Sequence, residues 1–364
     1  MDKKVDNIKP VEISSHNEKF LYSENPMPYL IEKEYVMSTG PGLFVLKGPL
    51  VKILDIINSE VLKITDSLNA ERCEVPTLIS WPNAIRSEYL KSFSNLALMM
   101  KTHEDQHGCT KGIACPSICY HYFSAMHDRT VESNFCVTVK GSVTRNEKDE
   151  QDDLSRLTNF TVRDIVFYGT QDYVNKSLLV VKEKATELLI DKFGLSFSVM
   201  TANDPFFGED KDEKAEAQLF IQSKYEFQAH LPYKDTTISI GSINNHGEIF
   251  YDRFEIKSGT PDLRFSGCVG WGYERMLFAI LAQKGVDFSS DYYQELFQMY
   301  ETSIEKNKAQ NLKLNISDLN TSLTCHKCLK TIAEDEKLNG PGLIKTFTKT
   351  GKDQYICHVC FSGF

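Results

Sequence analysis

The chain is expected to be an α+β protein: a mainly antiparallel sheet flanked by helices, followed by a small metal-stapled module near its C-terminal end. Three observations carry that expectation. Strand-like stretches dominate the middle of the chain and arrive as hairpin neighbours, whereas a parallel sheet would alternate them with helices. Helical patterns with apolar periodicity bracket that strand-rich region. Two Cys-x-x-Cys pairs, CHKC (325–328) and CHVC (357–360), stand a hairpin's length apart beyond it.

A length of 364 residues suits one large domain with an appendage, or two domains. Hydrophobic content of 41% and charged content of 25% are those of an ordinary globular protein. No run of about 18 uninterrupted apolar residues occurs, and the opening MDKKVDNIKPVEISSHNEK is too polar for a signal peptide. A cytoplasmic protein with no membrane partner is therefore expected. Ten cysteines agree with that if they are thiols or metal ligands, because a reducing compartment disfavours disulfides. The formal charge of −9 argues against a protein-wide phosphate-binding surface and leaves room for a local basic patch.

Roughly the first forty residues form a polar lead-in with little pattern. GPLVKILDIINSEVLKITDSLNA (48–70) then puts Leu50, Ile53, Ile56, Ile57 and Val61 on one face after a Gly-Pro start, which predicts an amphipathic helix. ERCEVPTLISW (71–81) reads as a strand. Further strands are expected at 134–144, 160–168, 195–201, 217–228, 236–243, 248–257 and 263–269, with a helix at 176–193 and a charged loop at GEDKDEKAEA (208–217). WGYERMLFAILAQKG spaces Tyr273, Met276, Leu277, Ile280 and Leu281 as a buried helix closed by Gly285. Residues 292–312 read as a closing helix. The domain reading is a lead-in at 1–40, a main domain at 41–312, a linker at 313–323 and a terminal module at 324–364.

In that terminal module, NGPG (339–342) and KTGK (349–352) supply turns between the cysteine pairs. Cys325, Cys328, Cys357 and Cys360 at this spacing fit a closed, tetrahedral four-thiolate zinc site, hence a structural zinc ribbon. Lys330, Lys337, Lys345, Lys349 and Lys352 lie between the pairs, either as a solvated face or as a docking face.

GCVGWGYERM (267–276) joins a strand to the buried helix. Glycine pairs often mark such a junction, but Arg275 in the apolar helix start is costly to bury unless an anion or an ion-pair partner meets it. A second arginine stands in VTVKGSVTRNEKDEQDDLSRLTNFTVRDIVFYG (137–169), where Arg145 and Glu147, two apart on a strand, share a face.

This stretch resembles motif 2 of class II aminoacyl-tRNA synthetases, an antiparallel hairpin with an Arg-x-Glu pair, and GWGYER resembles their motif 3. CEVPTLISWPNAIRSEYLKSF (73–93), with Pro76, resembles motif 1 and implies a homodimer. The resemblance implies ATP bent on the sheet: Arg145 on the α-phosphate, Glu147 at the adenine, and Arg275 stacked on adenine near the γ-phosphate. A planar guanidinium suits stacking and oxyanion contact as lysine does not.

ACPSICYHYF, RLTNFTVRDIVFYG, NDPFFG, SINNHGEIFYDRFEI and GCVGWGYERM together, over roughly residues 40–285, resemble the amino acid:[carrier protein] ligases, relatives of the atypical archaeal seryl-tRNA synthetases. That resemblance implies a catalytic zinc held by Cys119, Asp164 and Cys268, with one position open for the substrate's amino group. Asp164 stands where the family has glutamate, and Cys115 and His121 are alternatives to Cys119. DTTISIGS (235–242) has no carboxylate near its end, where class II enzymes commonly place a magnesium ligand. The implied activity is ATP-dependent activation of a small amino acid, with Mg2+, to aminoacyl-AMP, then transfer to the phosphopantetheine thiol of a carrier protein. No long basic or coiled-coil arm is visible, so tRNA is not the expected acceptor. The alternatives are transfer to tRNA or a peptide, or an inactive synthetase-like scaffold.

Overall fold

A computed structural model describes residues 9–101, 111–147 and 151–303, together with the backbone of 347–351 and 354–357. Residues Met1–Gln294 form one compact unit and Glu295–Phe364 a second.

The first unit is built on an eight-stranded sheet. Its strands are β1 (Glu12–His16), β2 (Glu71–Glu74), β3 (Phe135–Thr144), β4 (Asn159–Gly169), β5 (Phe197–Thr201), β6 (Lys224–Leu231), β7 (Thr236–Gly247) and β8 (Phe265–Gly272). In space they run β1-β5-β6-β7-β8-β4-β3-β2. Only β2 on β3 is parallel, so the sheet is mainly antiparallel, as the hairpin-like order of strands implies.

Alternation along β4 separates two chemistries. Ile165 and Phe167 face the helical layer of α1 (Pro49–Ser67), α3 (Gln171–Glu187) and α6 (Tyr273–Lys284). Arg163 on that side donates to Tyr273 Oη at 3.1 Å, Thr138 Oγ1 at 3.1 Å and Asn58 Oδ1 at 3.2 Å, pinning α1 and α6 to the sheet. Asp164, Val166 and Tyr168 face the other way. There Val166 and Tyr168 join Val137, Val139, Val143 and Cys268 in an apolar cluster with α2 (Cys119–Ala125) and α5 (Ile249–Arg253). The candidate site lies on this second face.

The amphipathic helix forms as its periodicity predicts, with Pro49 in its first turn and Leu50, Ile53, Ile56, Ile57 and Val61 buried. The helix after the glycine pair likewise ends at Gly285, whose φ of +91° disfavours any side chain. Elsewhere the elements differ from expectation. The charged run at 208–217 and the start of the strand expected at 217–228 instead form α4 (Lys211–Phe220). Its Lys214 meets Asp210 one turn back at 2.9 Å, and Leu219 is its buried anchor. The strand expected at 248–257 is the short helix α5, which turns Tyr251 and Phe254 inward. The helix expected at 176–193 starts earlier because the Thr170 hydroxyl caps it, and its last turn, Leu188–Lys192, widens. Within the lead-in, Glu12–His16 pairs with β5 as an edge strand.

Residues 291–303 are helical, and the remainder of the helix expected to 312 lies outside the described residues. In the second unit the backbone of Phe347–Gly351 pairs antiparallel with Gln354–Cys357. Cys325, Cys328 and Cys360 lie outside the described residues, as does the side chain of Cys357. No helix among the described residues is long and apolar enough to cross a membrane.

Candidate active site

The segment Cys115–Cys119 is set by the end of β3. Thr144 N donates to Cys115 O at 2.7 Å and Arg145 Nε to Pro116 O at 3.0 Å, which delivers Cys119 as the first residue of α2 above the sheet. Asp164 and Cys268 rise to meet it. On paired strands, Asp164 lies opposite Gly270 and Cys268 opposite Val166, so the two side chains are diagonal neighbours on one face.

Cys119 is the hub of the trio. It acts on both of the others, lowering the pKa of the Asp164 carboxyl and raising that of the Cys268 thiol. Asn244 Nδ2 donates to Cys268 Sγ at 3.7 Å, and Ser117 Oγ lies 3.2 Å from Cys119 Sγ. Burial pushes the Asp164 carboxyl up to about 7, against the pull of Arg145 and the Cys119 donors. The hydrogen bond from Cys119, followed by burial, pushes the Cys268 thiol well above its ordinary range.

Two buried thiols and a buried carboxyl on one sheet face offer soft and hard donors of the kinds that zinc takes. Among the described residues, however, no three His, Cys, Asp or Glu side chains are grouped so as to hold a metal ion. The electrostatic coupling runs instead in pairs through Cys119. Of the alternatives to Cys119, Cys115 senses Cys119 and Asp164 electrostatically, and burial pushes its thiol up to about 12. His121 is half-buried, its Nε2 atom has no hydrogen-bond partner among the described residues, and burial lowers its pKa.

The guanidinium groups gather on the same face. β3 ends at Thr144, so Arg145 and Glu147 lie just past the strand on which they were expected. The ladder still reaches Arg145 through its N–H to Thr158 O at 2.9 Å. The Arg145 guanidinium stands 5.6 Å from the centroid of the Phe160 ring. Glu147 Oε2 meets Arg156 Nη1 at 3.4 Å. Arg275, in the first turn of α6, donates through Nη1 to Ser239 O at 3.3 Å. Burial lowers its pKa first, and repulsion from Arg145 and Arg156 lowers it further, against the pull of Glu147 and Glu226. Arg275, repelled by both other guanidiniums, marks a ready site for an anion.

Sequence reasoning missed Arg156, Asp204, Lys224 and Glu226. Lys224 Nζ is buried between Asp204 Oδ1 at 2.6 Å and Glu226 Oε1 at 3.0 Å. Lys224 faces Asn244 across the ladder and Asn244 faces Cys268, so one row of the sheet joins this ion pair to the thiols. Glu226 pairs with Ser242, which places a carboxylate beside the stretch 235–242 that has none at its end. The period-two pattern of KYEFQ was the available signal, with Lys224, Glu226 and Gln228 on one face.

No family model matches the chain. It is 23% identical over 288 residues to the type-2 serine–tRNA ligase of Methanopyrus kandleri, covering 68% of this chain and 54% of that enzyme. The chain thus spans about half the length of that relative. It is 23% identical over 290 residues to amino acid–[acyl-carrier-protein] ligase 1 of Bradyrhizobium diazoefficiens, covering 73% of this chain and 87% of that one. The structure of M. kandleri SerRS in complex with A. aeolicus tRNASec aligns with a TM-score of 0.69 at 18% identity, covering 80% of this chain and 63% of that chain. The chain is a homologue of type-2 serine–tRNA ligases and amino acid–[acyl-carrier-protein] ligases, built on the class II aminoacyl-tRNA synthetase fold.

Proposed function

We propose that the chain is an ATP-dependent ligase that activates a small amino acid and passes it to the phosphopantetheine thiol of a carrier protein. The observation that supports this reading best is the sharing of one sheet face by two groups: the guanidiniums of Arg145, Arg156 and Arg275, and the Cys119, Asp164, Cys268 trio. The first suits a triphosphate and the second an amino group, which are the two substrates of an adenylation.

In the first step a carboxylate oxygen of the amino acid attacks the α-phosphorus of ATP, forming aminoacyl-AMP as pyrophosphate leaves. Arg145 would meet the α-phosphate and Arg275 the adenine and γ-phosphate, so that charge developing on the phosphoryl oxygens finds fixed donors. Glu147 would hold the adenine side and, with Glu226, faces the cluster into which Mg2+ would accompany ATP. No protein nucleophile is required, and positioning supplies most of the catalysis. Zinc held by Cys119, Asp164 and Cys268 would provide a Lewis-acid position for the substrate's amino group. In the second step the carrier thiolate attacks the acyl carbonyl and AMP leaves.

Residues 41–312 would form this catalytic domain, in a cytoplasmic homodimer, with 313–323 as a linker. Residues 324–364 would form a ribbon around a second zinc on Cys325, Cys328, Cys357 and Cys360. Relatedness to an amino acid–[acyl-carrier-protein] ligase along 87% of that enzyme's length favours the carrier as acceptor. The likeness to serine–tRNA ligases keeps tRNA as the second reading. Amino-acid-dependent ATP–pyrophosphate exchange over a full panel of amino acids tests the activation step: exchange with one or a few small amino acids is expected, and exchange with none favours an inactive scaffold.

A further inference from the structure

We propose that Asp153 is a positioning residue for the nucleotide: its carboxylate ties residues 151–158 to the β6–β7 turn, so that Arg156 and Arg275 stand at a fixed separation before ATP binds. This inference rests on the adenylation reading above.

Asp153 is 3% exposed in the stretch 151–158 that leads into β4. Its carboxylate accepts from Ser155 N at 2.8 Å, the Ser155 hydroxyl, Tyr233 Oη at 3.2 Å and Lys234 Nζ at 2.8 Å. Those donors hold it below the usual carboxylate range although burial opposes them. The turn that supplies Tyr233 and Lys234 belongs to the hairpin whose Ser239 carbonyl receives Arg275. Tyr233 also packs edge-on against Phe278 of α6, with ring centroids 6.3 Å apart, one turn beyond Arg275. Asp153 therefore grips both the hairpin and, through Tyr233, the helix that carry Arg275.

The same stretch is anchored again near its far end. Thr158 N donates to Gly42 O at 3.0 Å and Gly42 N to Gln151 O at 3.4 Å, and a Cβ on Gly42 would stand 2.6 Å from Thr158 N. Leu154 and Leu157 are buried between the anchors, whereas Arg156 points out to Glu147. An ion pair with one partner, Lys234, at the surface adds little stability. What this one supplies is register between two loops that carry opposite walls of the nucleotide site.

The test is calorimetric binding of ATP with magnesium to the full chain, alongside exchange kinetics. Asp153→Asn should raise the Kd for ATP about tenfold, the size of one lost charge-assisted contact, and leave the KM for the amino acid within about twofold. Lys234→Met should do the same more mildly and Lys234→Arg should stay near wild type. Should Asp153→Asn fail to fold, Lys234→Met carries the test. Unchanged ATP affinity in the variant that folds, or an equal rise in the amino acid's KM, overturns the role. A wild type that binds ATP but exchanges with no amino acid sinks the adenylation reading, while the comparison of ATP affinities still decides the role of Asp153.

Discussion

Asp164 and Gly270 face each other across paired strands so closely that a Cβ on Gly270 would stand 2.4 Å from Asp164 Oδ1. The first glycine of GWG is thus the floor on which the carboxylate rests. Gly270→Ala should rotate Asp164 away from Cys119 at a stability cost of about 1–3 kcal/mol. Thermal melts should show a modest loss while pyrophosphate exchange falls far more steeply. Equal activity at the lowered melting temperature would refute a site role for Asp164.

Arg275 is held for its shape as much as for its charge. Arg275→Lys keeps the cation and loses the planar fork, so exchange should fall about 10²-fold with the fold intact by circular dichroism. Near-wild-type exchange would leave Arg275 as a packing residue.

The Asp204–Lys224 pair makes stability depend on pH. Lys224 overcomes burial and holds the Asp204 carboxyl below its usual range. A depressed folded value adds stability that is fully present above the unfolded carboxylate value of about 3.9 and is lost as pH falls through the folded value. Lys224→Met should cost about 1–3 kcal/mol near neutrality by leaving the half-buried Asp204 carboxylate without its cation. That gap should narrow below about pH 4, where Asp204 is protonated in the unfolded chain. A gap independent of pH between 3 and 7, read by urea denaturation, would contradict the pairing.

The glycine–arginine junction was legible because its period switches from strand to helix at Tyr273, and the apolar stripe of α1 because five aliphatic positions share one face. The charged run of α4 was not. It has one buried residue, Leu219, so its helix is sustained by local ion pairing and by Gln218, which holds Asp204 through two hydrogen bonds at 2.7 and 2.9 Å. SINNHGEIFYDRF carries strand-forming aromatics, yet Gly247 at φ +56° turns the chain and Tyr251 and Phe254 are buried from a helix. Cys119 and Cys268 could be named from the resemblance, but the Lys224 pairings depend on strand register, which no local pattern displays.

Two zinc ions of different character are expected per chain. Cys268→Ala should remove one zinc by metal analysis and abolish exchange while the melting transition persists. Cys357→Ala should remove the other and spare exchange. Undiminished zinc in Cys268→Ala would separate the trio from metal binding.

The most direct test of the proposed transfer is intact-mass analysis of a phosphopantetheinylated carrier protein after incubation with the purified chain, ATP, magnesium and an amino acid that supports exchange. The expected result is a carrier heavier by one aminoacyl group, released by hydroxylamine as a thioester should be, with loading weakened by truncation before Thr324 more than exchange is. An unmodified carrier beside efficiently charged tRNA would contradict the choice of acceptor, and the absence of both products would contradict the ligase itself.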